Sequence, residues 1–253
     1  MSATVNTLLR YPVKGLSAER LQTVELVPGE SMPNDRRFAI AHGSAIGLDP
    51  ANPEWMPKAN FLQLMSNEKL ATLETRFDTE TGFLTVSRNG RQVSRGRITE
   101  NTGCAVLEQF FAAYMGGEIR GQPRLVECEG QAFSDTPEPF LSVINLASVR
   151  DLERVVGRVV DPTRFRGNIL IEGVPAWCEF DWIGQSFKFG SAVLFIEKRT
   201  GRCAATNVDP TTGNRDLTLP RSMQHAFGHE DCGVYARVME GGSVSVDDPL
   251  TPK

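Results

Sequence analysis

The chain of 253 residues is long enough to bury a hydrophobic core in one large or two modest domains. Hydrophobic residues at 40% and charged residues at 23% are typical of a soluble globular protein, and a net charge of −4 argues against a dedicated nucleic-acid-binding protein. No stretch approaches the ~20 apolar residues of a transmembrane helix, and the N-terminus lacks a signal-peptide pattern. We therefore expect a cytoplasmic protein without membrane contact.

The five cysteines are odd in number and irregularly spaced, and no C-x-x-C pair occurs. This pattern favours free thiols in a reducing compartment over a disulfide framework. It also lacks the ligand spacing of common zinc and iron–sulfur sites.

The N-terminal part alternates short apolar runs with turn residues, which predicts β-structure. A β-meander is predicted over 69–97, because Asn89-Gly90 is a strong hairpin signal between two alternating runs. No periodicity is visible over 43–58. The other predicted strands are the opening strand, which ends near Pro12, and the runs 21–27 and 36–42.

A helix is predicted over about 100–114, where apolar side chains recur at helical spacing before Gly116 and Gly117. We interpret its aromatic stripe as core packing. The segment 117–124 is the most linker-like, so a domain boundary is predicted between 118 and 119.

The C-terminal part again contains more strands than helices. A helix is predicted over 147–156, ended by Gly157. The predicted strands are R-L-V-E-C (124–128), 168–172, 185–189, 192–198 and 243–246. We therefore predict an α+β, mostly β protein with two β-rich lobes, of which the second is a barrel.

Cys203 is the strongest candidate for chemistry, because it directly follows Arg202 in a polar, basic segment (197–210). A thiol beside arginines ionises more readily, and the thiolate is the form that attacks electrophiles or binds metals. The alternative is a buried structural cysteine, the commonest state of a free cysteine.

A second basic segment contains Arg164, Arg166 and Asn168 at alternate positions. In a strand these side chains would share one face, and two guanidinium groups with an amide suit a phosphate. The alternative is a solvated strand entrance. Lys14 and the pair Arg36 and Arg37 are further candidate anion contacts, although singly each is more typical of surface charge.

Asp209 precedes Pro210 in a turn-like segment, which explains part of its presence. The three histidines form no metal-binding or catalytic-triad pattern, so no zinc site is predicted. Nucleotide-binding glycine motifs and a G-x-S-x-G motif do not occur, which excludes the simplest Rossmann, P-loop and α/β-hydrolase interpretations.

Several segments, in order, resemble the MOSC-domain family, which is named after the C-terminal domain of molybdenum cofactor sulfurase and includes the mitochondrial amidoxime-reducing component. The segments are L-L-R-Y-P-V-K-G (8–15), D-R-R-F-A-I (35–40), F-S-D-T-P-E-P-F-L-S-V-I-N (133–145), R-F-R-G-N-I-L-I-E-G (164–173), G-R-C-A-A-T-N-V-D-P-T-T-G (201–213), F-G-H-E-D-C-G-V-Y-A-R-V (227–238) and G-G-S-V-S-V-D-D (241–248). The resemblance implies an N-terminal MOSC β-barrel domain (1–118) followed by a MOSC domain (119–253).

The resemblance also implies a molybdenum–molybdopterin cofactor, with a family-level label of pyridoxal phosphate binding beside it. Cys203 takes the position of the cysteine that ligates molybdenum, and Arg166 and Asn168 match the F-R-x-N stretch that holds the cofactor. The remaining expected site residues are Lys14 and Arg37 at its phosphate, Thr136 in the loop that lines the site, Arg202 next to the ligand, and Asp209 in the V-D-P turn as a second catalytic candidate.

The function that the resemblance implies is reduction of N-hydroxylated small molecules by oxygen-atom transfer. The electron donor is then expected to be a separate protein of the ferredoxin or cytochrome b5 type. Three alternatives remain: sulfur transfer through a Cys203 persulfide, a non-catalytic cofactor carrier, and a barrel that has lost the cofactor. Gly201, where serine is common, and Asn207, where threonine is common, are the departures that favour the last.

Overall fold

The computed structural model describes residues 3–45, 56–128 and 132–253. The aperiodic stretch 43–58 therefore lies partly outside the described residues. The strands are β1 (Ala3–Arg10), β2 (Glu19–Leu21), β3 (Thr23–Leu26), β4 (Phe38–Ala41), β5 (Glu74–Phe77), β6 (Phe83–Arg88), β7 (Arg91–Arg97), β8 (Arg124–Glu127), β9 (Leu141–Asn145), β10 (Ile169–Glu172), β11 (Ser186–Phe189), β12 (Ala192–Gly201), β13 (Asp231–Glu240), β14 (Gly242–Ser245) and β15 (Pro249–Pro252). The α-helices are α1 (Asn101–Met115), α2 (Leu146–Val156) and α3 (Leu219–Phe227).

Seven strands close into a barrel in the order β10-β9-β13-β12-β11-β15-β1, and β10 pairs with β1 to complete the ring. Closure leaves no free sheet edge within the ring. Alternate residues point inward, so that Val234, Ala236 and Val238 of β13 are buried against Leu194 and Ile196 of β12. This apolar core fixes the position of β12, which ends at Gly201, two residues before Cys203.

The N-terminal lobe is built on the three-stranded meander β5-β6-β7, against which α1 packs. Asn89 and Gly90 both have positive φ, as the predicted tight hairpin requires. Leu107 and Phe111 of α1 are fully buried in the core of this lobe, so the predicted helix and core stripe are confirmed. The meander is confirmed from Glu74 onward, whereas Glu68–Thr72 form a 3-10 helix instead of the start of its first strand.

Two helices cover one side of the barrel. The predicted helix at 147–156 is confirmed as α2; it begins where Asn145 Oδ1 accepts a bond from the N–H of Ala147 and ends at Gly157 with φ 69°. Helix α3 was not predicted, because its inner face is short and rests mainly on Leu219 and Met223.

The fold is mostly β with a closed barrel and few helices, as predicted. The first strand of the chain belongs to this barrel, where it pairs with β10 and β15. The boundary between 118 and 119 stays a prediction. Within the ranges that the structure describes, no helix has the length and apolarity needed to cross a membrane.

Candidate functional site

A cavity of about 130 Å³ lies where the end of the barrel meets the N-terminal lobe. Its lining includes six of the residues expected at the cofactor, which come from distant parts of the chain. They are Lys14, Thr136, Arg166, Asn168, Arg202 and Cys203.

Cys203 reaches the cavity because β12 ends at Gly201 and the chain turns directly afterwards. Residues Ala204–Asn207 form a 3-10 turn, in which the Cys203 carbonyl accepts bonds from the N–H (3.1 Å) and Oγ1 (3.0 Å) of Thr206. The side chain is half-buried and carries a free thiol. The turn therefore presents a single accessible sulfur at the end of a rigid barrel strand.

Lys58 lies beside this sulfur, and it shares the carboxylate of Asp135 with Lys14. Lys14 Nζ donates to Asp135 Oδ1 at 2.7 Å and to the Phe133 carbonyl at 2.8 Å, and Lys58 Nζ lies 3.3 Å from Asp135 Oδ2. Burial lowers the pKa of Lys14 even though Asp135 opposes it. Burial also acts to lower the pKa of Lys58, but Asp135 and the nearby Cys203 sulfur outweigh it and raise that pKa.

Arg166 and Arg36 bring two further cations to the cavity, next to the buried ring of Tyr11. Their guanidinium carbons lie 4.1 Å and 4.6 Å from the ring centroid, and Arg36 Nη2 donates to the Arg166 carbonyl at 2.7 Å. Burial, reinforced by Arg36, lowers the pKa of Arg166 to about 10. Burial also raises the pKa of Tyr11 to about 12, despite both neighbouring arginines. The two guanidinium groups thus lie close together in a buried part of the cavity.

Residues 164–168 do not have the strand-like alternation that was considered for Arg164, Arg166 and Asn168. Pro162–Phe165 form a 3-10 turn and Arg166 has φ 51°, so the backbone does not alternate before Ile169. Arg164, Arg166 and Asn168 nevertheless all line the cavity. The turn and the left-handed residue, rather than the pleat of a strand, bring them together.

Asn168 and Arg202 are held mainly by the protein itself. Asn168 Oδ1 accepts from the N–H of Ser142 at 3.1 Å, and its Nδ2 donates to the Leu9 carbonyl at 3.3 Å, which ties β9 to β1. Arg202 Nε donates to the Cys232 carbonyl at 2.8 Å, and its Nη1 donates to the Phe165 carbonyl at 2.9 Å.

Thr136 lies in the cavity loop, as expected, with its Oγ1 donating to the Glu138 carbonyl at 3.3 Å.

Two expected site residues are not part of the cavity lining. Arg37 Nε donates to Glu127 Oε1 at 2.7 Å and its Nη1 to Asn34 Oδ1 at 3.0 Å, whereas the preceding Arg36 lines the cavity. Asp209 Oδ1 accepts from the backbone N–H groups of residues 211 and 212 at 3.0 and 2.7 Å. Burial acts to raise the pKa of Asp209, but these hydrogen bonds outweigh it and lower that pKa. Asp209 therefore shapes the turn that follows Cys203.

Sequence reasoning missed Lys58, Asp135 and Tyr11. Lys58 and Asp135 are 77 positions apart in the chain. Lys58 belongs to no motif, and in the segment 133–145 only Thr136, not Asp135, was singled out. Tyr11 carried a weak signal, because it stands three residues before Lys14 in a segment already singled out.

The cavity fits an anionic cofactor with one soft protein ligand. Five cationic side chains line it against three carboxylates. Arg166 Nη2 and Ser142 Oγ are buried without a hydrogen-bond partner anywhere in the described chain, so a polar ligand would satisfy them. Nowhere in residues 3–45, 56–128 and 132–253 do three or more His, Cys, Asp or Glu side chains form a group suited to a metal ion.

Family models match the chain in the order that the motifs imply. A family model for the MOSC N-terminal beta barrel domain matches residues 2–142, and one for the MOSC domain matches residues 130–251. The chain is 38% identical over 131 residues to mitochondrial amidoxime-reducing component 1 of Homo sapiens, which covers 47% of the chain and 38% of that protein.

The chain is also 24% identical over 254 residues to molybdenum cofactor sulfurase of Caenorhabditis briggsae, covering 92% of the chain and 33% of that protein. It thus spans about a third of the length of these curated relatives. The crystal structure of the YUAD protein from Bacillus subtilis matches with a TM-score of 0.46 and 12% identity, over 99% of this chain and 94% of that one. From the two family matches, the chain belongs to the MOSC-domain family and carries both the MOSC N-terminal β-barrel domain and the MOSC domain.

Proposed function

We propose that this protein is an oxidoreductase that holds a molybdenum–molybdopterin cofactor at Cys203 and reduces N-hydroxylated substrates. The observation that carries the proposal is one cationic cavity lined by both a half-buried thiol and an arginine with an unpaired, buried N–H group. Membership of the MOSC family and similarity to an amidoxime-reducing component support it.

Each part of the cavity would have a distinct task. Cys203 would supply the protein ligand to the metal, because thiolates suit such centres. Lys14, Arg36 and Arg166 would hold the phosphate of the cofactor, since charge-assisted bonds from lysine and arginine favour phosphate. When bound, the cofactor would supply the oxygen-atom-transfer and electron-transfer chemistry, while the protein supplies position and electrostatics.

The reaction breaks the N–O bond of the substrate and forms an N–H bond on the same nitrogen. The oxygen leaves as water, and the balance requires two electrons and two protons for each bond broken. The electrons would come from a separate one-electron donor protein of the ferredoxin or cytochrome b5 type.

Protein purified from a host that makes the cofactor tests this proposal directly. We expect close to one molybdenum per chain by elemental analysis, pterin fluorescence after oxidation, and reduction of benzamidoxime with reduced viologen as electron donor. Cys203→Ala should lose both metal and turnover but keep its fold. Cys104→Ala, which removes a half-buried thiol from α1, is the matched control and should keep both. Normal turnover in Cys203→Ala would contradict the proposal.

A second candidate function, sulfur transfer through a Cys203 persulfide, is favoured by the ammonium group of Lys58 next to the sulfur. An ammonium group at this position would counter the negative charge of a persulfide sulfur. This candidate predicts cyanide-labile sulfur on Cys203 and no bound metal. Bound cofactor without turnover from any donor would instead indicate a cofactor carrier.

A further inference from the structure

We propose that Glu138 is the specificity-determining residue of the cavity and binds the N–H groups of a planar amidine-type substrate, such as an amidoxime. This inference rests on the proposed function, because it names the substrate class that the site at Cys203 would select. It concerns the side of the cavity formed by the segment before β9, which contains both Glu138 and Phe140.

Glu138 differs from the other two carboxylates that line the cavity. Asp35 pairs with Arg36, and Asp135 lies between Lys14 and Lys58. Among the described residues Glu138 forms no ion pair, and its Oε2 is buried without a hydrogen-bond partner. A buried acceptor without a donor is unfavourable, and a ligand N–H group would satisfy it.

Two aromatic rings line the same cavity as this carboxylate. Phe140 and Tyr235 both line the cavity, and their rings are stacked with centroids 5.4 Å apart and planes 26° apart. Lys198 Nζ and Arg237 Cζ lie 5.0 Å and 5.8 Å from the centroid of Phe140. A planar substrate would meet apolar surface from these rings and an acceptor from Glu138 in the same cavity.

The combination selects a particular chemistry. An amidoxime is planar and carries an NH2 group on the carbon that bears its N–OH group, and an amidine offers two N–H donors to one carboxylate. A carboxylate disfavours a second anion at the same position. Glu138 would therefore favour amidoximes over carboxylates and other anions, which the cationic residues of the cavity would otherwise attract.

The side chain of Glu138 can be altered without disturbing its loop. The hydrogen bonds that fix the loop use the Glu138 carbonyl, which accepts from the N–H of Phe140 at 2.8 Å and from Thr136 Oγ1 at 3.3 Å. Glu138→Gln keeps the size of the side chain and replaces one acceptor oxygen by a donor. Glu25→Gln, on an exposed position of β3, removes the same charge elsewhere and is the matched control.

The experiment is calorimetric titration of the protein, isolated from the cofactor-making host, with benzamidine and separately with benzoate. We expect benzamidine to bind wild type and Glu25→Gln equally. In Glu138→Gln its Kd should rise at least about tenfold, or about 1.4 kcal/mol. Equal benzamidine binding by wild type and Glu138→Gln would overturn the inference, as would tighter binding of benzoate than of benzamidine to wild type.

Molybdenum content and benzamidoxime turnover are measured on the same preparations, so the two proposals fail separately. Glu138-dependent benzamidine binding without metal or turnover contradicts the proposed function and supports the binding role. Normal turnover, together with equal benzamidine binding by wild type and Glu138→Gln, overturns only the substrate-binding role of Glu138. In an active preparation we expect Glu138→Gln to raise KM for benzamidoxime about tenfold with kcat little changed. A contact that is equally strong in the bound substrate and in the transition state affects KM but not kcat.

Discussion

Arg164 gives the sharpest test of how the Cys203 turn is held. Its side chain is 2% exposed, and its Nη2 lies 3.2 Å from Asp209 Oδ2 and 2.9 Å from Asp216 Oδ1. Its Nη1 donates to the Asn207 carbonyl at 3.2 Å. Arg164→Met keeps an unbranched side chain of similar shape up to the guanidinium group but removes every one of these contacts, which leaves two carboxylates and the 204–207 turn without their shared partner.

The expected loss follows from the burial of these groups. Removing one partner of a fully buried ion pair costs about 3–5 kcal/mol. Asp209 and Asp216 retain 27% and 21% exposure, so water recovers part of that cost. We therefore expect Arg164→Met to lose about 2–3 kcal/mol, which at this chain length lowers Tm by roughly 5–10 °C.

The measurement combines chemical denaturation with the alkylation rate of Cys203, read by mass spectrometry on cofactor-free protein. Arg164→Met should be alkylated several-fold faster, because the turn that half-buries the thiol is loosened. The control is Arg154→Met, which also removes an arginine from a carboxylate but at 70% exposure, where such pairs contribute about 0–1 kcal/mol. Equal stability of the two variants would refute this account of the turn.

Three further predictions concern other parts of the fold. Burial raises the pKa of Glu179, so its protonated form stabilises the protein below its ordinary pKa of 4.5, and this stabilisation is lost as pH rises above it. Glu179→Gln should remove that trend in denaturation curves recorded from about pH 4.5 upward. Burial acts to raise the pKa of Asp135, but Lys14 and Lys58 hold that pKa well below 3.8. The ionised carboxylate therefore stabilises the protein above pH 3.8, and this stabilisation is lost as the pH falls. Asp135→Asn should lower the free energy of unfolding by about 1 kcal/mol at pH 7 and have no effect at low pH, as measured by chemical denaturation. Gly103→Ala would place a methyl carbon 2.1 Å from the carbonyl oxygen of Arg97 and should lower stability by about 1–3 kcal/mol in a thermal melt, whereas Gly117→Ala, which has no atom within 4 Å, should not.

Elements with strong local signals were predictable from the sequence. The Asn89-Gly90 hairpin requires positive φ at both residues, which asparagine and glycine tolerate, and the apolar stripe of α1 fixes both its helical state and its buried face. Helix α3 lacked such a signal, because a single buried pair four residues apart is too short a pattern to distinguish a helix from a loop.

Cys203 and Arg166, which the family resemblance placed at one cofactor, line the same cavity, but the choice between Arg36 and Arg37 needed the backbone. Arg36 has φ 49°, a left-handed conformation that residues other than glycine rarely adopt. The N–H of Arg36 is held by the Tyr11 carbonyl at 2.7 Å and the N–H of Phe38 by the Pro12 carbonyl at 3.0 Å, so the chain is fixed on both sides of Arg37. With the backbone fixed in this way, the side chain of Arg36 lines the cavity and that of Arg37 bonds to Glu127. Which of two adjacent arginines lines the cavity is therefore decided by tertiary hydrogen bonds, and no local pattern in D-R-R-F carries that information.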